Sequence, residues 1–394
     1  MTPNITILVK FFFPVAAGIA TNILETYSVI ADKGWDIELQ TTKDTLTERN
    51  VLIPEETIRG VHIHRWPWIK WLGFFPKMEV PPNSIVALHN FNITPHAFFM
   101  TKAIFQKLIG RKNYILVLTP HGGFTPEWST FPFLQRFAKQ LYHNTLGVWL
   151  INQSIDGVRA VSEWEKNEMI ACGMKPEIVT VISNGIENMA FENVDSQVKA
   201  EFKKKISGYG KYLLQIGRIH TIKNFETTIK ALAELPPEVK FVIAGPVGEP
   251  DYKAGLEQLT RKLGLQDRVI FFGTVFGAEK YYLIKNAEMM VHMAIWESYC
   301  NVVHEGMSQG LVCVVADNTA LPLLIKDGVN GYCLPAKDVQ KLAQKLLFVL
   351  NNKNSPEIKE IQKTNRESVK AHSWSNVAKK MEEWYSGFIQ KMAK

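Results

Sequence analysis

The feature that most constrains the fold is an alternation of short apolar runs with helix-like segments, repeated in two series along the chain. The runs are rich in β-branched and aliphatic residues, which favour strands. Strands that alternate with helices indicate βαβ units and a parallel sheet. The runs of the first series are ITILV at 5, DIELQTT at 36, IVALHN at 85, YILVLTP at 114 and GVRAVS at 157.

A second series of such runs follows a polar, lysine-rich connector that contains residues 203–205. A chain of 394 residues is also too long for one ordinary hydrophobic core. We therefore expect an α/β protein with two doubly wound, Rossmann-like domains in tandem. The runs of the second series are KYLLQIGRI at 211, KFVIAGP at 240, RVIFFGTV at 268, AEMMVHM at 287 and LVCVVAD at 311.

Charge and cysteine content restrict the class of protein. A net charge of +7 favours anionic partners such as phosphates, nucleic acid or a membrane surface. The four cysteines form no CxxC pair, so neither a disulfide framework nor a structural metal site is indicated, and a cytoplasmic location fits best. The apolar N-terminus lacks a basic n-region and is interpreted as a buried strand rather than a signal peptide. No run reaches the ~18 to 20 apolar residues needed to cross a bilayer.

The stretch ESYCNVVHE, residues 297–305, opens and closes on a carboxylate in an apolar neighbourhood. Glu297 follows a strand-like run, and the next segment is predicted to begin a helix near Asn301. Glu297 would then lie in a strand-to-helix loop, with Glu305 about one turn inside the helix. The helix N-terminus between them presents backbone N–H groups and the positive end of a dipole, which favours a phosphate.

Three further motifs follow strands. In GRIHTIKN, residues 217–224, Arg218 and Lys223 bring two cations to one anionic group, although they would also suit a solvated helix start. Gly18, in PVAAGIATN, permits close approach to a phosphate. His121, in TPHGG, lies where a loop presents an imidazole, and His89 also ends a strand; either could instead be a satisfied loop histidine. The chain lacks the GxGxxG of a dinucleotide-binding dehydrogenase.

The order of these motifs resembles that of GT4-type retaining glycosyltransferases (glycosyltransferase group 1), which have the GT-B fold. The shared features are a glycine-bearing first loop, His-Gly after a strand, NGIE, GRI followed by Lys, and E-x7-E. The resemblance covers nearly the whole chain, including the tail around HSW. It implies an acceptor-side domain at 1–190, completed by a crossing helix at 372–394, that faces a nucleotide-sugar donor domain at 205–371 across a cleft.

The resemblance also implies roles for single residues. Glu297 and His121 would be catalytic residues beside the donor sugar. Arg218 and Lys223 would hold the donor diphosphate, and Gly18 would approach it from the other domain. Sugar transfer would retain the anomeric configuration through an oxocarbenium-like state, and the departing diphosphate would serve as the base for the acceptor hydroxyl.

Other implied contacts complete the donor site. Glu305 would accept hydrogen bonds from the ribose hydroxyls. The donor would be a UDP- or GDP-linked sugar, and neither a cofactor nor a metal is required, because side chains supply the cations. The loop at the donor sugar or phosphate would comprise Ser298, Tyr299, Cys300, Asn301 and Val302, and the candidate base contacts are Thr274 and Val275.

Several positions depart from the family pattern. Asn224 stands where glycine usually follows the lysine. Ser298, Tyr299 and Cys300 follow Glu297 where a glycine or an aromatic-glycine pair is common. A segment that often reads as a glycine pair, followed after Ile-Pro by glutamate, here contains Thr319, Ala320 and Leu323.

The segment RWPWIKWLGFFPK, residues 65–77, interleaves aromatic with basic side chains. This composition is typical of a membrane interface, and it suggests peripheral contact with an anionic membrane, at the inner face of the plasma membrane, and a lipid-linked acceptor. The alternative is a loop packed against the first domain. Nucleic acid is not expected as a partner, because the chain has neither an RNP-like motif nor a basic stripe.

The leading functional hypothesis is a retaining hexosyltransferase that acts in polysaccharide biosynthesis, such as lipopolysaccharide or capsule assembly. Sugar-nucleotide epimerases and glycan phosphorylases share the two-domain frame, but the Arg-Lys and E-x7-E combination favours transfer. The alternative from another class is a non-catalytic protein that binds a nucleotide sugar or a glycan, which the departures from the family pattern would favour.

Overall fold

The chain folds into two compact units in a computed structural model. One unit comprises Met1–Gly185 with Trp374–Lys394, and the other comprises Ile186–Ser373. Each is a doubly wound α/β unit, which confirms the fold class expected from the alternating runs. The domain boundaries stay a prediction, because compactness alone does not show that a unit folds independently. The structure describes residues 3–15, 18–45, 48–69, 80–91 and 93–392.

The first unit contains an eight-stranded sheet in the order β3-β4-β2-β1-β5-β6-β7-β8. Neighbouring strands are parallel, except that β3 runs antiparallel to β4 at one edge. The register places Ile5 of the central strand beside Ile37 and Ile85. The strands are β1 (Asn4–Leu8), β2 (Asp36–Thr42), β3 (Glu55–Ile58), β4 (Val61–Trp66), β5 (Ile85–His89), β6 (Ile115–Thr119), β7 (Gly157–Ala160) and β8 (Val179–Val181).

Both faces of this sheet are covered by helices, as the nearly continuous apolar runs of β5 and β6 require. Because side chains alternate along a strand, Ile85 and Ala87 enter one core cluster and Val86 and Leu88 enter the other. The helices are α1 (Gly18–Ala31), α2 (His96–Leu108), α3 (Phe133–Tyr142), α4 (Val148–Ser154), α5 (Glu163–Ala171) and α14 (Trp374–Met392).

The C-terminal helix α14 belongs to the first unit, where it packs on α1. Trp374, Met381 and Tyr385 of this helix are buried in the core on the α1 side of the sheet. Gly185 makes the close approach feasible, because a Cβ there would lie 2.7 Å from the Trp374 ring.

The second unit contains a six-stranded parallel sheet in the order β11-β10-β9-β12-β13-β14. Its strands are β9 (Tyr212–Ile216), β10 (Lys240–Ala244), β11 (Val269–Gly273), β12 (Met289–His292), β13 (Cys313–Ala316) and β14 (Tyr332–Leu334). Its helices are α6 (Ala200–Ser207), α7 (Phe225–Leu232), α8 (Pro250–Lys262), α9 (Gly277–Lys285), α10 (Asn301–Ser308), α11 (Leu321–Leu324), α12 (Val339–Asn351) and α13 (Pro356–Ser368).

Local capping explains where several helices begin. Ser162, Asp338 and Ser355 each accept a hydrogen bond from the backbone N–H three residues later, at the starts of α5, α12 and α13. Such a bond satisfies one of the N–H groups that a helix end leaves unpaired.

A buried carboxylate ties together two loops at the carboxyl edge of the first sheet. Glu165 of α5 accepts the backbone N–H of Gly122 at 2.5 Å and that of Val161 at 2.7 Å. These residues follow β6 and β7, respectively. Burial raises the pKa of Glu165 to about 6, although both N–H groups stabilise the charged form. The loop that contains His121 is therefore held from within the unit.

This environment predicts a pH-dependent contribution to stability. A raised pKa in the folded state means that protonation of Glu165 favours folding below pH 4.5, its ordinary value, and that this gain is lost as the pH rises through about 6. As the pH falls from about 7.5 to 4.5, the unfolding free energy of the wild type should therefore rise by about 2 kcal/mol relative to that of Glu165→Gln. Urea unfolding across this range measures it.

Glu163→Gln, which alters an exposed carboxylate of the same helix, is the matched control. If the difference in unfolding free energy between the wild type and Glu165→Gln does not change with pH, the raised pKa of Glu165 is contradicted. The histidines of the chain titrate in both proteins, so their contribution cancels in this difference.

Candidate active site

Glu297 lies in a buried, polar cluster of the second unit. Its carboxylate forms an ion pair with the Lys223 ammonium and accepts a 2.6 Å hydrogen bond from His292 Nε2. Lys223 ends a short helical turn after β9, His292 is the last residue of β12, and Glu297 lies in the loop before α10. The sequence-predicted phosphate lysine and sugar carboxylate are therefore direct neighbours.

The cluster keeps Glu297 ionised. Burial opposes the charge, but the Lys223 ammonium and the His292 hydrogen bond outweigh it and lower the pKa of Glu297 to about 2. Burial also lowers the pKa of His292, against the effect of Glu297, so that its ring is neutral near pH 7. Neutral His292 donates from Nε2, which leaves Nδ1 buried and without a partner among the described residues.

Three loops of this unit contain non-glycine residues in the left-handed conformation. They are Asn224, Cys300 and Thr319, with φ of 51°, 98° and 50°. All lie in the segments where the family pattern usually has glycine. The left-handed region costs roughly 1–2 kcal/mol for residues with a Cβ. At these three positions, the backbone therefore keeps the positive φ that glycine adopts readily, although the residue is not glycine.

Side chains at two of these positions offset that cost with hydrogen bonds. Asn224 Nδ2 donates to the Met293 carbonyl at 2.8 Å and to the Ala336 carbonyl at 2.6 Å. Thr319 Oγ1 accepts the backbone N–H of Glu297 at 3.1 Å. Thr319 thus positions the backbone of Glu297.

Cys300 brings a thiol to the same cluster. Ligand atoms of His292, Glu297 and Cys300 lie within 4.8 Å of one another, a set that could hold a metal ion. Burial raises the pKa of the Cys300 thiol well above its usual range, and Lys223 already neutralises the carboxylate. These residues therefore favour the ion pair, and the expectation that no metal is required stays a prediction.

Arg218 precedes Lys223 in the loop after β9, and its side chain is exposed. Among the described residues it has no hydrogen-bond or ion-pair partner, so its guanidinium is available to an anion. Glu249 holds this loop in place: its carboxylate accepts the Thr221 N–H at 2.9 Å and contacts His220 Nε2 at 2.9 Å. Arg218 itself packs against Gly248, where a Cβ would lie 2.6 Å from its side chain.

Glu305 forms a second charged cluster, on α10. One of its oxygens lies 3.1 Å from Lys280 Nζ on α9, and the same ammonium lies 3.1 Å from Glu187 Oε2. Burial opposes the charge on Lys280, but the two carboxylates raise its pKa above the usual value. Glu187 is the glutamate of the NGIE motif, so this motif is connected to Glu305 through Lys280.

The other oxygen of Glu305, Oε2, is buried and has no partner among the described residues. Burial raises the pKa of this carboxyl in spite of Lys280. A carboxylate that lacks solvation is stabilised by any further donor, such as a hydroxyl group. Glu305 is therefore suited to accept a hydrogen bond from a ligand.

The remaining predicted residues of the second unit lie around these clusters. The Tyr299 ring packs at 5.1 Å from His304, and His304 stacks on His372 at 4.6 Å, so Tyr299 faces the interior of the unit. Asn301 begins α10, as the sequence predicts, and Val302 packs on the core. Ser298 is half-buried in the loop before α10. Thr274 is exposed and Val275 is buried, in the loop that leads into α9.

In the first unit, the two predicted residues differ in how their surroundings constrain them. Gly18 begins α1 and is exposed, and a Cβ there would meet nothing within 4 Å. Packing within the unit therefore does not require glycine at this position. His121 follows β6 with a left-handed φ of 52° and is half-buried.

His121 ends a chain of hydrogen-bonded side chains that runs through the core. Its Nε2 lies 2.9 Å from His89 Nδ1, and His89 Nε2 lies 2.8 Å from the Tyr27 hydroxyl. The Tyr27 hydroxyl lies 2.5 Å from that of Tyr385 on α14. Burial lowers the pKa of both histidines well below the usual value, and burial raises that of Tyr27 to about 12. All four groups are thus neutral near pH 7.

Neutrality couples the tautomers along this chain, because each ring has one N–H. If Tyr27 donates to His89, then His89 donates to His121 and the proton of His121 is on Nδ1. If the direction reverses, His121 Nδ1 becomes an acceptor. The orientation of the Tyr27 hydroxyl therefore determines what His121 offers to a ligand.

Several important residues were not predicted from the sequence. His292 is not among the predicted residues, although a histidine at the end of an apolar strand, five positions before Glu297, is a usable signal. Lys280 and Glu165 gave no signal, because each reaches its partner from a distant part of the chain. The ligand-binding roles of all the predicted residues stay predictions.

The aromatic-basic segment 65–77 is described only through Ile69, and residues 70–77 lie outside the described residues. Arg65 is buried in β4, where it forms an ion pair with Glu56, so it is not a cation available to a membrane surface. Trp68 packs under Lys10, whose Nζ lies 4.6 Å from the ring centroid. Among the described residues, no helix has both the length and the apolar character needed to cross a membrane.

Comparison with known sequences identifies two matching families. "Glycosyltransferase Family 4" matches residues 16–188, and "Glycosyl transferases group 1" matches residues 196–385. An uncharacterized glycosyltransferase of Methanocaldococcus jannaschii is 30% identical over 60% of this chain and 61% of its own length. The match thus spans less than two thirds of that relative. N-acetyl-alpha-D-glucosaminyl L-malate synthase of Bacillus anthracis is 28% identical over 77% of this chain and 75% of its own length.

Solved structures agree on the fold. HepE of Anabaena in complex with UDP superposes with a TM-score of 0.76 at 18% identity, covering 98% of this chain and all of HepE. Sucrose-phosphate synthase of Thermosynechococcus elongatus superposes with a TM-score of 0.76 at 16% identity, covering 99% of this chain and all of that chain. The predicted GT-B fold and the predicted family are both confirmed. The chain belongs to the glycosyltransferase group 1 family, of the GT4 type.

Proposed function

We propose that the protein transfers a sugar from a nucleotide-sugar donor to a glycan or a lipid-linked saccharide, with retention of the anomeric configuration. The observation that carries this proposal is the buried, ionised Glu297 held by Lys223 and His292. Such a carboxylate can face a sugar whose ring becomes positively charged in the transition state. The family, and the UDP and UDP-glucose complexes of HepE, support a nucleotide-linked donor.

The donor nucleoside is proposed to bind at Glu305. Its buried Oε2 lacks a partner, while Lys280 fixes the other oxygen. Two ribose hydroxyls can donate to such an oxygen, which removes the cost of an unsatisfied buried acceptor. Thr274 and Val275, in the loop that leads to α9, remain the candidate base contacts, with UDP and GDP as the candidate nucleotides.

The diphosphate is proposed to bind Arg218 and Lys223. Arg218 has no partner among the described residues, and an ammonium has three N–H donors, so Lys223 can hold Glu297 and a phosphate oxygen together. Opposite charges ~4 Å apart attract by ~4 kcal/mol at an effective dielectric constant of ~20. This attraction grows as the leaving group gains charge. Gly18, where a side chain is absent, is proposed to let the diphosphate approach α1.

The transfer step follows from these positions. The bond between the anomeric carbon and the diphosphate oxygen breaks, and the diphosphate keeps the electron pair. The acceptor hydroxyl attacks the same face, and its proton passes to the departing diphosphate. Ionised Glu297 stabilises the oxocarbenium-like sugar, and His121 contacts the donor sugar, as donor or acceptor according to its tautomer. Attack on the face of the leaving group yields retention.

The acceptor is proposed to be a saccharide used in polysaccharide assembly. One structural neighbour, WaaG, is described as a glycosyltransferase involved in lipopolysaccharide biosynthesis; it superposes with a TM-score of 0.68. A lipid-linked acceptor, in lipopolysaccharide or capsule assembly at the inner face of the plasma membrane, agrees with the basic charge of the chain.

A non-catalytic nucleotide-sugar binding protein is the second candidate. The departures from the family pattern favoured it. Asn224, Cys300 and Thr319 nevertheless adopt the left-handed backbone that glycine would adopt, and the Lys223–Glu297 pair is intact. Transfer is therefore the better-supported function, and turnover distinguishes the two.

Nucleotide binding should raise thermal stability through Lys223 and Glu305. A ligand at ~100 times its dissociation constant adds ~2.7 kcal/mol to the free energy of unfolding. We expect one of UDP, GDP or ADP, or a sugar conjugate of one, to raise the Tm of the wild type but not of Lys223→Ala or Glu305→Ala. Differential scanning fluorimetry measures this shift. Lys230→Ala removes an exposed lysine of α7 and should respond like the wild type.

If no nucleotide stabilises the wild type at millimolar concentration, the donor site assignment is wrong. If Glu305→Ala is stabilised as much as the wild type, the nucleotide binds elsewhere.

Turnover should depend on Glu297. Loss of its carboxylate removes the charge that faces the reacting sugar, so Glu297→Ala should lower the rate of nucleotide release by at least about 100-fold. Glu297→Gln tests the charge alone and should also be impaired. Glu234→Ala, which changes an exposed glutamate, is the matched control. Proton NMR of the product should show the anomeric configuration of the donor.

An inverted configuration would refute retention. Binding without turnover in the wild type, across saccharide acceptors, would favour the non-catalytic protein.

A further inference from the structure

The helix α3 (Phe133–Tyr142) has its apolar side in solvent. Phe133, Leu134, Phe137 and Leu141 are each between 55% and 80% exposed. They recur at the spacing of one helical face. A helix on the surface of a soluble domain normally buries such a face and exposes its charges.

The cations of α3 are less exposed than its apolar side. Arg136 and Lys139 are half-buried; the Arg136 guanidinium lies 5.9 Å from the centroid of the Phe133 ring, and Lys139 Nζ lies 4.3 Å from that of Phe131. Lys139 is also close enough to Lys10 to help lower the pKa of that lysine, after the larger effect of burial. The helix α3 therefore exposes its apolar side chains more than its cations, whereas an ordinary surface helix does the reverse.

The exposed apolar surface extends beyond α3. Leu146 lies just before α4, and Trp149 lies within it. α4 packs against α2, which exposes three more large apolar side chains, and exposed Ile109 follows α2 directly. In the described part of the chain, ten of the twenty exposed large apolar side chains lie within residues 98–149, from α2 to α4, and we call this set the α2–α4 face. They are Phe98, Phe105, Leu108, Ile109, Phe133, Leu134, Phe137, Leu141, Leu146 and Trp149.

The charge of this part of the chain is strongly one-sided. Residues 80–156 contain two acidic residues, Glu127 and Asp156, and six basic residues, a net charge of +4. The six basic residues are Lys102, Lys107, Arg111, Lys112, Arg136 and Lys139. Asp156 forms an ion pair with Lys112, which leaves five cations without that partner. A second copy of the chain would bring like charges together on this face, which opposes self-association. An anionic surface with an apolar interior matches both the charge and the exposed side chains.

We infer that the α2–α4 face binds the surface of an anionic lipid bilayer, with the apolar side chains of α3 inserted among the acyl chains. Trp149 and the phenylalanines suit the interface between headgroups and acyl chains. The inference adds a membrane-binding surface to the proposed function. It does not depend on turnover, since binding to vesicles requires no donor.

Vesicle co-sedimentation of the full chain tests this inference. The wild type should bind vesicles of phosphatidylcholine mixed with phosphatidylglycerol at low salt, should bind less as salt rises, and should not bind phosphatidylcholine alone. The double variant Leu134→Ser/Phe137→Ser should weaken binding about tenfold or more. Because both side chains are exposed, the fold should persist, which circular dichroism checks.

Controls separate the apolar from the electrostatic contribution. Val329→Ser removes a side chain that is 58% exposed in the second unit and should bind like the wild type. Lys107→Glu/Arg111→Glu should weaken binding at low salt, whereas Lys359→Glu/Lys380→Glu, the same charge change on α13 and α14, should weaken it less.

Three outcomes would overturn the inference. The wild type could fail to bind anionic vesicles at low salt. Binding could be lost in Trp71→Ser/Phe74→Ser but kept in the α3 variant, which would assign it to segment 65–77. The α3 variant could abolish a dimer, seen by analytical ultracentrifugation, without changing vesicle binding.

Turnover of a soluble acceptor by the α3 variant at the wild-type rate would show that any loss of vesicle binding is separate from the proposed function.

Discussion

The second unit is organised around one electrostatic interaction, the pairing of buried Glu297 with Lys223 and His292. A carboxylate at this depth would be protonated without compensation, because burial disfavours its charge. The lysine and the histidine reverse this and keep the pKa at about 2. The loops that bring these side chains together pass through left-handed conformations at Asn224, Cys300 and Thr319. Local backbone strain is thus concentrated where the charges are placed.

Much of the fold follows from the sequence, because periodicity is a local signal. The alternating apolar runs predicted both sheets, and the family resemblance implied a C-terminal helix at 372–394, where α14 lies. The edge strand β3 and its neighbour β4 were missed, although Val61 and Ile63 alternate with His62 and His64 in β4. The helix α10 was predicted to begin near Asn301, and it does begin there.

The site was less accessible to sequence reasoning, for a physical reason. Lys223 and Glu297 are 74 positions apart, and their contact depends on how β9 and β12 pair. Lys280 reaches Glu187 and Glu305 across 93 and 25 positions. Such partners have no spacing rule. The chain from His121 to Tyr385, which spans the core of the first unit, is likewise a product of packing rather than of any motif.

The central claim, that these charged clusters hold a nucleotide sugar, is tested most directly by a crystal structure of the wild type with bound UDP or GDP. The account predicts diphosphate oxygens within hydrogen-bonding distance of Arg218 and Lys223, and ribose hydroxyls that donate to Oε2 of Glu305. A nucleotide bound away from both clusters, or one that leaves Glu305 Oε2 without a donor, would contradict it.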